Sequence, residues 1–255
     1  MYDVLNIRDN IRLLSVVTIL VLYFWFEDIQ IAIFLLSWIV IMLVMGNVRR
    51  LPPGKYFLDF TRMTLYFLPL AIPAFIFLEV NLAISVKVIP YILIAFLFFF
   101  IWFLFNYKKI KFSLSNQIIA LSPKTSKFTL GMNIYNLIGA AFSEEIFFRL
   151  FLLSLPLPNI ILFFLSCSYF ILFHYTLPWG NSFKKEDFVN QFVLGALCAL
   201  LFLFSGSIIP SIFLHILINS IYICRDIRCF DRHHIRRNYY DSLISSEETL
   251  NDLDI

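Results

Sequence analysis

The sequence predicts an all-α fold, a polytopic membrane helix bundle of about eight transmembrane helices with both termini cytoplasmic. Three observations carry that expectation. The 255 residues are 60% hydrophobic and only 15% charged, with a mean hydropathy of +0.84. A soluble domain of this length needs far more polar surface. The apolar residues run continuously instead of alternating, which disfavours membrane strands. The basic residues also fall in a few short segments, as the positive-inside rule requires of cytoplasmic loops.

The elements follow in order. A crossing helix needs roughly 20 apolar residues, fewer where the bilayer adapts. Eight stretches qualify or nearly do: 11–26, 30–46, 64–80, 88–106, 132–155, 160–177, 190–205 and 207–223. The first lacks a small-residue cleavage site and reads as a retained helix. Pro69 and Pro73 are expected to kink the third, which neighbouring helices tolerate. A Ser205-Gly206-Ser207 turn separates the last two.

Placing the N-terminus in the cytoplasm makes the inside segments 1–10, 47–63, 107–131, 178–189 and the tail from 224. With Arg12 at the first helix boundary, they hold 18 of the 20 Lys and Arg residues. Lys87 alone falls outside, and Arg149 lies within a span. Removing one span would throw the later basic segments to the wrong side.

Residues 1–224 therefore read as one transmembrane domain and 225–255 as a charged cytoplasmic tail, partly disordered. Five arginines in 225–240 suit anionic membrane lipid, while 241–255 holds five acids and no base. The His233-His234 pair reads as solvated tail. The four cysteines form no CxxC pair, so neither a redox nor a zinc framework is indicated. Short loops and missing targeting motifs point to a bacterial cytoplasmic membrane. No cofactor, metal or nucleic-acid partner is expected.

One stretch departs from this composition. "SEEIFFRLFLL", residues 143–153, sets Glu144, Glu145 and Arg149 among Ile146, Phe147, Phe148, Leu150 and Phe151. Three charges at a helix centre cost about 7–10 kcal/mol before pairing. Groups at that cost usually face the bundle interior and serve function. Glu145 and Arg149, four apart, share a helix face and can pair. Glu144 points about 100° away and lacks that partner. An unpaired carboxylate in apolar surroundings suits a general base near neutral pH. A purely structural salt bridge is the bland alternative.

Polar residues in other spans weigh against it. His174 lies near the cytoplasmic end of the sixth span. His215 lies in the eighth, with Asn219 one turn on and on the same face. A bundle can converge such groups on one wet cavity open to the cytoplasm. The set suits peptide hydrolysis by activated water. Glu144, helped by His174, takes a proton from the water, and His215 with the Asn219 amide donates to the developing oxyanion. Ser143 has no base arranged beside it. HExxH is absent, so no ligand spacing argues for metal.

At these residues the chain resembles the CAAX protease and bacteriocin-processing family of intramembrane proteases, also called the Abi family. Its EExxxR motif reads Glu144-Glu145-Ile146-Phe147-Phe148-Arg149, its FxxxH motif runs from Phe170 to His174, and its HxxxN motif runs from His215 to Asn219. Each alone is a weak signal, but their order across three late spans is specific. The resemblance covers roughly 131–223. It implies an eight-helix fold and a catalytic set of Glu144, His174, His215 and Asn219, supported by Glu145 and Arg149. It also implies a hydrophobic or lipid-modified peptide substrate. Family members are described as glutamate-dependent or as metal-dependent, and the missing ligand spacing favours the former. Phe170 reads as a packing wall.

Two other functions compete. An ion-coupled transporter could use the same groups as a proton relay, but no matching broken segments mark two halves. A non-catalytic immunity or binding protein of the same fold would survive loss of Glu144.

Overall fold

The computed structural model describes residues 7–48, 56–77, 85–176 and 185–234, and every regular element among them is helical. In chain order these are α1 (Ile7–Phe26), α2 (Ile29–Val48), α3 (Tyr56–Phe77), α4 (Ile89–Ser113), α5 (Asn116–Leu121), α6 (Lys127–Glu145), α7 (Asn159–Thr176), α8 (Lys185–Ser205) and α9 (Ile209–His234). A 3₁₀ turn, Val86–Val88, leads into α4, whose first turn takes Pro90 where no intrahelical N–H partner is required. Ser126 caps α6, its Oγ accepting from the Thr129 N–H at 3.0 Å. Gly206 closes α8 at φ 64°, a conformation glycine adopts without strain.

The surface is apolar and the interior holds the charge. Trp25 and Phe105 are 80% and 87% exposed, whereas Glu145 and Arg149 are fully buried. That inversion is what a lipid solvent selects, and the molecule is a helical membrane bundle. Tyr56–Phe77, Val86–Ser113 and Glu186–Ser205 are long and apolar enough to cross a bilayer. Arg12–Phe26, Ile29–Val44 and Asn159–Tyr175 are apolar but shorter. The polar residues of α6 and α9 dilute their hydropathy, because these helices carry the buried ionisable groups.

Helix α6 packs between α3 and α9, α7 lies along α8, and α9 also contacts α4 and α8. Gly139 permits the α3–α6 approach: a Cβ there would sit 2.6 Å from the Phe67 ring. The core is aromatic. Trp38 of α2 stacks on Phe147 and meets Tyr169 of α7 edge-on at 4.8 Å. Its indole N–H donates to Ser15 Oγ at 2.9 Å, and the Tyr169 hydroxyl donates to the Ser15 carbonyl at 2.6 Å. Both polar tips are thereby satisfied inside apolar surroundings.

Three elements differ from the sequence expectation. The third apolar stretch is helical from Tyr56, before the expected start at 64, because its amphipathic first turns continue the same helix. The expected loop at 107–131 contains the end of α4 and all of α5. Short α5 has little periodicity of its own and is held from outside: Arg228 of α9 donates to the Leu114 carbonyl and to Asn116 Oδ1. His233, read as solvated, is half-buried against the Ser122 carbonyl, whereas His234 is exposed as expected and also reaches the Thr125 carbonyl. Helix α9 thus runs on through residues 225–234. The acidic stretch expected to be unfolded, 241–255, lies outside the described residues.

The third difference is at the charged segment. The expected single helix over 132–155 becomes α6, a π-helical turn over Ile146–Phe151 and a 3₁₀ turn over Leu152–Ser154. The Leu152 N–H reaches back five residues to the Phe147 carbonyl. The Phe148 carbonyl instead accepts from Ser166 Oγ of α7 at 2.8 Å. Widened turns of this kind often occur at functional sites.

Candidate active site

Glu144 and Glu145 close α6, and the two carboxylates diverge from there. Glu145 bridges two helices. One of its oxygens meets His215 Nδ1 at 2.8 Å, and the other lies 3.2 Å from Arg149 Nε. The sequence expectation that Glu145 pairs with Arg149 holds even though the intervening turn is wider than an α-helix.

Arg149 has two further partners. Its Nη2 donates to the Gly195 carbonyl of α8 at 3.0 Å, and its guanidinium carbon lies 4.4 Å from the centre of the Phe170 ring. Gly195 eases the approach of the Phe170 ring. A Cβ there would lie 3.2 Å from Phe170 Cδ1 and 3.6 Å from Arg149 Nη2. Small residues allow such close approach between membrane helices.

Glu144 has partners that helical spacing could not reveal. Its Oε2 faces His174 Nε2 at 3.5 Å and His215 Nε2 at 3.9 Å. Both distances exceed the 2.7–2.9 Å typical of a charge-assisted hydrogen bond. Oε2 is buried without a hydrogen-bond partner among the described residues.

The hydrogen bonds fix how the imidazoles present themselves. His174 Nδ1 lies 2.9 Å from the Phe170 carbonyl, and His215 Nδ1 lies against the Glu145 carboxylate. Both partners only accept, so each Nδ1 carries a hydrogen and donates. Each Nε2 is then a lone pair in the neutral ring or an N–H in the imidazolium. With neutral rings, the two carboxylates and one guanidinium sum to −1.

Phe170 is the common wall. Its ring centre lies 4.5 Å from that of His174 and 6.0 Å from that of His215. With Arg149 on it as well, one aromatic side chain touches the guanidinium and both imidazoles. The packing reading of Phe170 holds, with this wider reach.

Five of the six sequence-predicted residues, Glu144, Glu145, Arg149, His174 and His215, come together at the junction of α6, α7 and α9. Asn219 lies one turn along α9 from His215, where its Nδ2 donates to the Leu137 carbonyl of α6 at 2.9 Å. That bond ties α9 to α6 and leaves the second amide hydrogen. The two Nε2 atoms and Glu144 Oε2 face one another. No group of three or more His, Cys, Asp or Glu among the described residues has ligand geometry.

Sequence reasoning missed Gly195, Ser166 and Trp38. Gly195 had a signal, a lone glycine in the apolar run of α8. A serine in a hydrophobic helix gives no comparable indication that it caps a neighbour's carbonyl.

Residues 126–221 match the family described as type II CAAX prenyl endopeptidase, Rce1-like. The matched segment begins at the cap of α6 and ends in α9, so it contains every residue of the cluster. No curated protein and no solved structure matches the chain.

Proposed function

We propose that the chain, whose residues 126–221 match the type II CAAX prenyl endopeptidase family, is an intramembrane endopeptidase in which Glu144 and His174 activate a water. The observation that carries this reading is Glu144 Oε2, buried and faced by two imidazole nitrogens within 3.9 Å. A water hydrogen-bonded to Oε2 lies within reach of both rings. Glu144 takes its proton as the oxygen attacks the peptide carbonyl, and His174 shares that proton and passes it to the leaving amine.

His215 donates from Nε2 to the oxyanion, for which its ring must be the imidazolium. The Glu145 carboxylate on Nδ1 orients the ring. The free hydrogen of the Asn219 amide is the second donor, each such donor contributing about 3–4 kcal/mol to the transition state. Glu145 and Arg149 hold His215 and the π-turn in register. A glutamate mechanism is preferred to a metal mechanism because the sequence lacks HExxH and any comparable ligand spacing.

The substrate class is a hydrophobic or lipid-modified peptide that enters from the bilayer and is cut near the cytoplasmic leaflet. The charge distribution supports eight crossings with both termini cytoplasmic, in a bacterial cytoplasmic membrane. Residues 1–224 form the membrane domain in this reading, and the remainder is a charged tail.

The test is cleavage of a lipid-embedded peptide by purified protein in liposomes. Glu144→Gln keeps the shape and removes the base, so cleavage is lost while insertion and thermal stability persist. Full cleavage by both Glu144→Gln and His174→Ala would remove the proposal. Substrate-dependent proton uptake without a cleaved product would favour a transporter.

A further inference from the structure

Helices α4 and α8 run antiparallel. At one end Lys109 of α4 holds them together, 3.5 Å from both Glu186 and Asp187 of α8. Towards the other end they line an apolar cavity of about 330 Å³, walled by Tyr91, Ile94, Phe98, Leu200, Leu201 and Phe204. That end is marked by the start of α4 and by the Ser205–Ser207 turn. The groove begins more than a turn beyond Gly195, on the side away from His174, so it is separate from the glutamate–histidine cluster.

The α4 wall is one helical stripe. Tyr91, Ile94 and Phe98 recur at intervals of three and four, and the same stripe continued one turn back reaches Lys87. Lys87 is exposed in the turn that enters α4, and it is the one basic residue that the charge distribution leaves on this side. Side chains lean towards the start of their helix, so the ammonium leans out of the span and towards the membrane surface. Tyr91, four residues on from Lys87, brings a hydroxyl to the polar end of this stripe, a residue type enriched at membrane interfaces.

We propose that the α4–α8 groove, with Lys87 at its mouth, binds an anionic phospholipid, one acyl chain in the cavity and the phosphate paired with the Lys87 ammonium. Charge complementarity selects this occupant. An apolar slot alone would accept any chain, whereas a cation in line with the slot and one turn above Tyr91 matches a lipid with a negative headgroup. The Tyr91 hydroxyl donates to the headgroup or to the glycerol ester. Several apolar side chains would otherwise line a gap between helices, so the bound chain completes the packing of α4 against α8.

The test uses the full-length protein in nanodiscs of phosphatidylcholine that contain a trace of phosphatidylglycerol with a diazirine on one acyl chain. After photolysis, labelled peptides are mapped by mass spectrometry, with the corresponding phosphatidylcholine probe as control. The expected map concentrates on residues 91–98 and 200–204. Ile94→Trp, which fills the slot, removes that labelling. Lys87→Gln lowers capture of the phosphatidylglycerol probe about fivefold, the effect of one basic residue at an anionic surface, and leaves the phosphatidylcholine probe unchanged.

Labelling spread evenly over the lipid-facing sides of α1 and α4 in the wild type would overturn the proposal without recourse to a variant. Equal capture of the anionic probe by wild type and Lys87→Gln would overturn it too. Displacement of the probe by a hydrophobic peptide would reassign the groove to substrate.

Discussion

Glu145 and His215 meet at 2.8 Å across α6 and α9, with side-chain exposures of 0% and 5%. Seventy residues separate them in the chain, and both side chains are buried. The same carboxylate holds Arg149, so Glu145 joins the π-turn to α9 through one side chain. Glu145→Gln should leave Arg149 buried without a counter-charge and cost about 3–5 kcal/mol of stability. Thermal unfolding in detergent measures that loss, and Glu144→Gln should show little of it. Equal stability of the two variants would contradict the division of roles between the carboxylates.

Arg149 is held by geometry as much as by charge. Its guanidinium binds Glu145 and the Gly195 carbonyl while lying on the Phe170 ring. A lysine keeps the charge but cannot make these planar contacts together. Arg149→Lys should therefore insert normally and cleave peptide much more slowly. Wild-type cleavage by this variant would show that charge alone suffices.

Gly195 sets the spacing beneath that arginine. In Gly195→Ala the added methyl sits 3.2 Å from Phe170 Cδ1, a contact that a shift of a few tenths of an ångström relieves. The expected result is a reduced cleavage rate with the fold retained. A valine at this position should abolish cleavage, because its branches reach the ring and the guanidinium together. A series in which alanine and valine both match wild type would show that Phe170 moves freely.

Arg228 makes a different kind of contact, remote from the cluster. Its guanidinium reaches the Leu114 carbonyl at 2.6 Å and Asn116 Oδ1 at 3.0 Å, fastening α5 to α9. Arg228→Ala should raise hydrogen exchange over residues 114–122 while peptide cleavage stays near wild type. Unchanged exchange there would show that the cap by Ser115 and the packing of Ile119 against Cys229 are enough.

The sequence made the chemistry of the site legible because burial makes charge conspicuous. Two glutamates and an arginine in a phenylalanine-rich run require an interior position, and four-residue spacing identifies the Glu145–Arg149 pair. Histidines in other spans could be expected to join them. The contacts of Glu144 could not be read in this way. They depend on how α6, α7 and α9 cross, and a helical wheel describes one helix at a time. The π-turn was equally invisible, since it relies on Ser166 of α7 to satisfy the Phe148 carbonyl. Helix existence followed from continuous apolarity, whereas α5 follows from an arginine more than a hundred residues away.

Trp38 gives the first two helices their purpose. It precedes the family-matched segment, yet its ring lies against Phe147, Phe148 and Tyr169, directly behind the turn that carries Arg149. The segment that carries the cluster is thus not a self-contained cassette. Its rear wall is built by α1 and α2, and any transplant of residues 126–221 into another scaffold must bring a substitute for that wall.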